Sequence, residues 1–144
     1  MKPQSLMLDQ TGFEPLNTTL GKVTAEVRVL FVDDNVLSCR IGHRLLSKQG
    51  AQVQCATSGE EALAIVETSA FDLIVVDCMM PEMSGFDLAK QLRKPESKAA
   101  STPVVAITAS NAPAMVDRAH ESGIEQLLCK PLCAQSVLEF VKAG

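Results

Sequence analysis

"FDLIVVDCMMPEMSG", residues 71–85, decides the fold. Leu73, Ile74, Val75 and Val76 form an apolar run with no alternation. Such a run reads as a strand covered on both faces, as in a parallel sheet held between two layers of helices. The run ends in one carboxylate, Asp77, and passes at once into Met79, Met80 and Pro81, with Gly85 close behind. Pro and Gly mark a turn there. An aspartate at the tip of a buried strand is either a turn residue or a reagent, and the rest of the chain must decide which.

Outward from this stretch the chain alternates. Strands are expected over 27–33, 51–57, 71–77, 102–108 and 124–130, and Pro103 stands only at the start of its strand. Helices are expected over 35–50, 58–69, 84–94, 112–123 and 134–144. In the first helix Leu37, Ile41 and Leu45, with Leu46 beside them, are expected to form one face, and Gly50 to stop the helix. In the second, Ala62, Leu63, Ile65 and Val66 face inward. Residues 1–26 hold no sustained period and read as a linker or leader, partly disordered, leaving 27–144 as the domain. Strict alternation predicts an α/β domain: a doubly wound parallel sheet of five strands with five helices and short right-handed connections. Ligands of such sheets bind beyond the carboxyl ends of the strands.

Composition narrows the function. The 144 residues are 47% hydrophobic, enough for a substantial core, and carry a formal net charge of −4. That charge argues against direct nucleic-acid binding, which needs clustered Lys and Arg. Aromatics are 3%, without Trp or Tyr, so stacking surfaces for bases or flavins are scarce. The cysteines are Cys39, Cys55, Cys78, Cys129 and Cys133. Their odd number and the lack of a C-x-x-C spacing favour free thiols in a reducing compartment. No signal pattern and no apolar run near 18 residues occurs, so a soluble, cytoplasmic domain without membrane contact is expected.

The strand tips carry the chemistry. The first strand ends in Asp33-Asp34, the third in Asp77, the fourth in Thr108 and the fifth in Lys130-Pro131. The second ends in Thr57-Ser58, off to one side. Three carboxylates on one rim repel one another. Mg²⁺ would resolve the conflict, since it takes oxygen ligands and keeps waters that phosphate oxygens can replace. Aspartate is a competent covalent phosphoryl acceptor, and positioned cations dominate phosphoryl transfer. Lys130 is then the remaining cation and Thr108 a hydroxyl able to bond a phosphoryl oxygen.

Four segments carry a resemblance: FVDDN (31–35), D-x-M-M-P-x-M-x-G (77–85), ITAS (107–110) and CKP (129–131), each at its own strand tip. Over roughly 27–143 the chain resembles the receiver domain of two-component response regulators. The resemblance implies a flavodoxin-like strand order of 2-1-3-4-5. It implies Asp77 as the phosphoacceptor. Asp34 and Asp77 would bind Mg²⁺ directly, Asp33 through water, and the Met79 main-chain carbonyl would supply a further ligand. Thr108 would be the switch hydroxyl, Lys130 the partner of Asp77 or its phosphate, and Pro131 a cis proline. The partner would be a histidine kinase or histidine phosphotransfer domain, and the chain itself a signalling module rather than an enzyme.

Two departures and several plainer readings accompany this. Receivers usually carry Tyr or Phe three residues before the lysine; here Leu127 stands there, so switching would run through Thr108 and the fourth helix. Met79 and Ser110 are expected to set the lifetime of the phosphate. Cys78 reads as packing, His43 and His120 as helix-surface residues, and Glu60, Glu61, Lys90, Arg93 and Lys94 as solvated faces. With one helix after Lys130 no output domain is expected to follow. DDNVLSCRIGHRLL, ATSGEEAL and ITASNAPAMVDRAHESGIEQLLCKPL resemble receivers of hybrid sensor histidine kinases, whose parent chains can be membrane-anchored. A free-standing single-domain regulator is the alternative. An Asp-nucleophile phosphatase would want D-x-D where this chain has adjacent acids, a flavin carrier would want a Gly-rich phosphate loop, and a binding-only pseudo-receiver would have lost an acid or the lysine.

Overall fold

The structure, a computed structural model, describes residues 27–109, 113–130 and 132–143. The leader over 1–26, Ser110 and Pro131 lie outside the described residues. Along the chain run β1 (Arg28–Val32), α1 (Val36–Lys48), β2 (Gln52–Ala56), α2 (Gly59–Thr68) and β3 (Leu73–Asp77). Then follow α3 (Gly85–Leu92), β4 (Val104–Thr108), α4 (Pro113–Glu121), β5 (Gln126–Cys129) and α5 (Ala134–Ala143). The strands are all parallel, in the order β2-β1-β3-β4-β5. The expected alternation and order are both met.

Two cores explain the apolar runs. Side chains alternate along a strand, so Leu30, Val32, Ile74, Val76, Val104 and Ala106 face one layer, with α2 and α3 supplying Ala62, Val66, Phe86 and Leu92. Val29, Phe31, Leu73, Val75, Val105 and Ile107 face the other, against Cys39 and Leu46 of α1 and Val137 and Leu138 of α5. β3 and β4 are buried throughout, whereas the edge strand β2 is buried only at Ala56. Helix starts are set by side-chain caps, each satisfying a free amide of the first turn. Asn35 accepts from the Ser38 amide, Ser58 from Glu61, and Ser84 with Asp87 forms a capping box.

Two expectations need correction. Of the face expected for α1, Leu46 is buried, but its buried companions are Cys39 and Gly42, not Leu37, Ile41 and Leu45. Leu37 is 64% and Ile41 50% exposed. The reason is Phe31. A Cβ on Gly42 would come within 2.5 Å of the Phe31 Cζ, so the helix turns its glycine toward that ring and its leucine and isoleucine outward. Arg93 is not a merely solvated residue either. Its guanidinium donates to the carbonyls of Gly123 (2.9 Å), Ala100 (3.1 Å) and Thr102 (2.6 Å) and pairs with Glu125 at 2.8 Å. Glu125 also accepts from the Val104 amide, so α3 is tied to the starts of β4 and β5. Among the described residues no helix is long and apolar enough to cross a membrane.

Candidate functional site

The sheet ladder extends one residue beyond the strands at their carboxyl ends. Asp33 N–H donates to Ala56 O (3.0 Å), Cys78 N–H to Ile107 O (3.0 Å) and Lys130 N–H to Thr108 O (2.8 Å). These bonds carry the tips of β1, β3 and β5 onto one rim. Asp33, 3% exposed, has its backbone carbonyl held by the Cys39 thiol at 3.2 Å, and its Oδ1 accepts from the Asn35 amide at 2.9 Å. Asp77 is 9% exposed. Its Oδ1 accepts from the Met79 amide at 3.0 Å and its Oδ2 faces the Lys130 ammonium at 3.2 Å. Exposed Asp34 completes the group: one oxygen from each of Asp33, Asp34 and Asp77 lies within 4.8 Å of the others.

The electrostatics follow from that crowding. Burial pushes the Asp33 carboxyl above its ordinary value, the Asn35 amide opposes this, and the nearby Asp77 charge adds to it. One ammonium, half in solvent, faces three carboxylates. The set fits a hard divalent cation on its donor chemistry: three carboxylates converge with charge left uncompensated. Burial raises the Cys78 thiol to about 11, in keeping with a packing role.

The loop after Asp77 is shaped by backbone constraints. Gly85 N–H donates to Cys78 O at 3.0 Å, and a Cβ on Gly85 would sit 2.5 Å from the Asp77 carbonyl oxygen. Glycine is required there because the returning chain passes directly over the Asp77 backbone. Met83 N–H donates to Pro81 O at 2.7 Å with Glu82 at φ 67°, a tight three-residue turn in the left-handed region.

Asp33, Asp34, Asp77 and Lys130, singled out in the sequence, are thus brought together. Thr108 is 1% exposed and ends β4 one residue past Ile107, the register partner of Asp77. The contact found for Met79 is its amide, while its side chain is 67% exposed. Leu127 is half-buried against the core on the α2/α3 side. Sequence reading missed two supports, the Cys39 thiol beneath Asp33 and the Arg93 clamp. Neither has a local signature, because each depends on partners distant in sequence.

Comparison with known proteins agrees with this geometry. The family model described as response regulator receiver domain matches residues 29–142. The chain is similar to hybrid signal transduction histidine kinase G of Dictyostelium discoideum, 35% identical over 111 residues, with 76% of this chain and 3% of that protein covered. It is 32% identical over 114 residues to the sensory/regulatory protein RpfC of Xanthomonas campestris, covering 78% of this chain and 16% of that protein. The chain therefore spans a small part of the curated relatives it matches. Among solved structures it resembles the chemotaxis protein CheY4 of Vibrio cholerae, with a TM-score of 0.74 and 30% identity, covering 81% of this chain and 97% of that one. It also resembles the signal receiver domain of a signal transduction histidine kinase from Syntrophus aciditrophicus, with a TM-score of 0.71 and 28% identity over 81% and 88% of the two chains.

Proposed function

The chain belongs to the response regulator receiver domain family, and we propose that Asp77 is its phosphoacceptor, taking a phosphoryl group from a phosphohistidine. A carboxylate oxygen of Asp77 bonds to phosphorus, the P–N bond to the imidazole breaks, and the imidazole leaves with the electron pair and takes up a proton. The observation that carries this reading is the setting of Asp77: nearly buried, fixed at one oxygen by the Met79 amide and faced at the other by Lys130, beside two further carboxylates.

Asp33, Asp34 and Asp77, with the Met79 main-chain carbonyl, would hold Mg²⁺, which when bound supplies positive charge toward the oxygens of the arriving phosphoryl group. Asp33 would act through water. Lys130 neutralises Asp77 before reaction and a phosphoryl oxygen after it. The Thr108 hydroxyl is the second group able to turn toward that oxygen, and its movement would bias the surface around β5 and α4. Leu127 offers no aromatic ring to move with it. The exposed Met79 side chain, beside the acceptor, would slow water's approach to the acyl phosphate. Similarity to receivers within larger histidine kinases supports a place in a phosphorelay, with a histidine kinase or histidine phosphotransfer domain as donor.

The test uses acetyl phosphate and Mg²⁺. A single adduct, labile in alkali and absent from Asp77→Asn, is expected. Labelling that survives Asp77→Asn, or repeated turnover of unrelated phosphomonoesters, would refute the assignment.

A further inference from the structure

Two of the cysteines meet where α1 lies against the edge strand β2. Cys39 is on the buried face of α1, and Cys55 is the next-to-last residue of β2. The Cys55 thiol donates to the main-chain carbonyl of Cys39 at 3.4 Å. The Cys39 thiol donates to the Asp33 carbonyl at 3.2 Å and lies 3.7 Å from the Ala56 carbonyl. Each thiol is also a hydrogen-bond neighbour of the other. A disulfide needs Cα atoms about 4.4–6.8 Å apart, and a sulfur in contact with its partner's own backbone has made that order of approach. Cys78 shows what a packing cysteine looks like in this fold: it is 0% exposed, and its charged neighbours are Asp77, Arg118 and Lys130 rather than a thiol.

The pair has an outer and an inner sulfur. Cys39 is 4% exposed, whereas Cys55 is half-buried on a strand with one edge open to solvent. An oxidant therefore reaches Cys55, and Cys39 attacks from within, where no outside reagent has to enter. We propose that Cys39 and Cys55 are an oxidisable pair, closed to a disulfide by a hydroperoxide, and that closure weakens the hold on Asp33. The Cys55 sulfur attacks the terminal peroxide oxygen, the O–O bond breaks, and an alcohol or water leaves with the thiol proton, giving a sulfenic acid. The Cys39 sulfur then displaces hydroxide, which takes the Cys39 proton and departs as water. The dithiol loses two electrons and two protons, and the peroxide gains them. A sulfur without hydrogen cannot donate, so the carbonyls of Asp33 and Ala56 lose the Cys39 thiol together. Asp33 is 3% exposed, so water does not readily replace that donor. One acid of the cleft is thereby loosened and labelling of Asp77 slows, a consequence that rests on Asp77 being the acceptor.

The experiment treats the full chain with hydrogen peroxide, after exposed Cys129 and Cys133 are changed to Ser so that only the remaining thiols report. Two thiols should disappear together and return with dithiothreitol, and the digested protein should hold the peptides of Cys39 and Cys55 joined. In Cys39→Ser, whose hydroxyl can still donate to the Asp33 carbonyl, oxidation should stop at a Cys55 sulfenic acid that dimedone traps. In Cys55→Ser no thiol should be lost from the folded protein. Labelling by acetyl phosphate and Mg²⁺ should fall at least about threefold on peroxide treatment and recover with dithiothreitol. Both serine variants should keep their untreated rates. Thiols that survive peroxide in the folded protein would overturn the proposal, and so would Cys55 oxidised alone to a sulfinic acid, or Cys39 joined to Cys78. Labelling unchanged in protein shown to carry the Cys39–Cys55 bridge would overturn it too. Failure of the untreated protein to label would instead remove the acceptor assignment, while the thiol counts and joined peptides still judge the pair.

Discussion

Replacing Asp33 by Asn should make the metal-free protein more stable, not less. Oxygens of Asp33, Asp34 and Asp77 lie within 4.8 Å of one another. Two unit charges at that separation repel by about 3.5 kcal/mol at an effective dielectric of ~20, and by about 0.9 kcal/mol in bulk water. Asp34 is exposed, so its share is near the lower figure; Asp77 is nearly buried, so its share is larger. Lys130, 3.2 Å from Asp77, offsets part of this. The bond from the Asn35 amide survives, since an asparagine Oδ1 also accepts. A net gain of about 1–2 kcal/mol remains for Asp33→Asn at neutral pH. The pH dependence has a definite sign. Burial raises the folded value of Asp33 above its ordinary 3.8. Below 3.8 the carboxyl is protonated in folded and unfolded chains alike and costs nothing; the penalty builds above it and is complete past the raised value. The variant's advantage should therefore be full at about pH 7.5 and fade toward pH 4. Magnesium should reverse the order, because at 100 times its Kd a ligand adds about 2.7 kcal/mol to the protein that binds it. Urea midpoints in EDTA at both pH values, and in excess MgCl₂, read all three effects. A variant less stable than wild type in EDTA at pH 7.5, or an advantage undiminished near pH 4, would refute the crowding argument.

Three further outcomes follow from other parts of the fold. Gly85→Ala should lower stability by about 1–3 kcal/mol, as its Cβ meets the Asp77 carbonyl, and should depress labelling of Asp77 by acetyl phosphate; urea titration and labelling check the two together. Arg93→Ala should cost about 2–4 kcal/mol, since three carbonyls and Glu125 lose a charged donor, yet leave the labelling rate intact because the clamp lies at the other end of the strands; stability falling together with labelling in the folded protein would count against that separation. Iodoacetamide should modify exposed Cys133 and Cys129 first, with the Cys133 inflection below the ordinary thiol value because Ser136 donates to its sulfur, while Cys39, raised by burial to about 12, and Cys78 react only on unfolding; peptide mapping across pH gives the order.

The sheet was legible because its central strands β3 and β4 are buried on both faces. Val75 and Val76 belong to opposite cores, so no polar residue interrupts the run, and the tip acids stand out as the first breaks. The gathering of Asp33, Asp34, Asp77 and Lys130 was legible for a related reason: Asp33 and Asp77 are the first polar residues after apolar runs, Asp34 follows Asp33, and Lys130 follows Leu127, Leu128 and Cys129. The orientation of α1 was not. Leu37, Ile41 and Leu45 fit a helical period as well as Cys39, Gly42 and Leu46 do, and the choice depends on the Phe31 ring, which lies on another element. Arg93 looked solvated because its acceptors are backbone carbonyls, which a sequence does not distinguish. Leu37 and Ile41 were misread as core for a related reason: periodicity reports that a face exists, not what covers it.

β3 is the middle strand of five, paired on both edges and roofed on both sides. An element so enclosed opens only when the whole domain melts. Asp77 is its last residue, so this carboxylate stands on an enclosed strand, and amide exchange there should track global unfolding. Water reaches the outer rim at Asp34 and the Met79 side chain. Solvent thus meets the carboxylates from the open end of the sheet, while the strand that carries Asp77 stays closed beneath them.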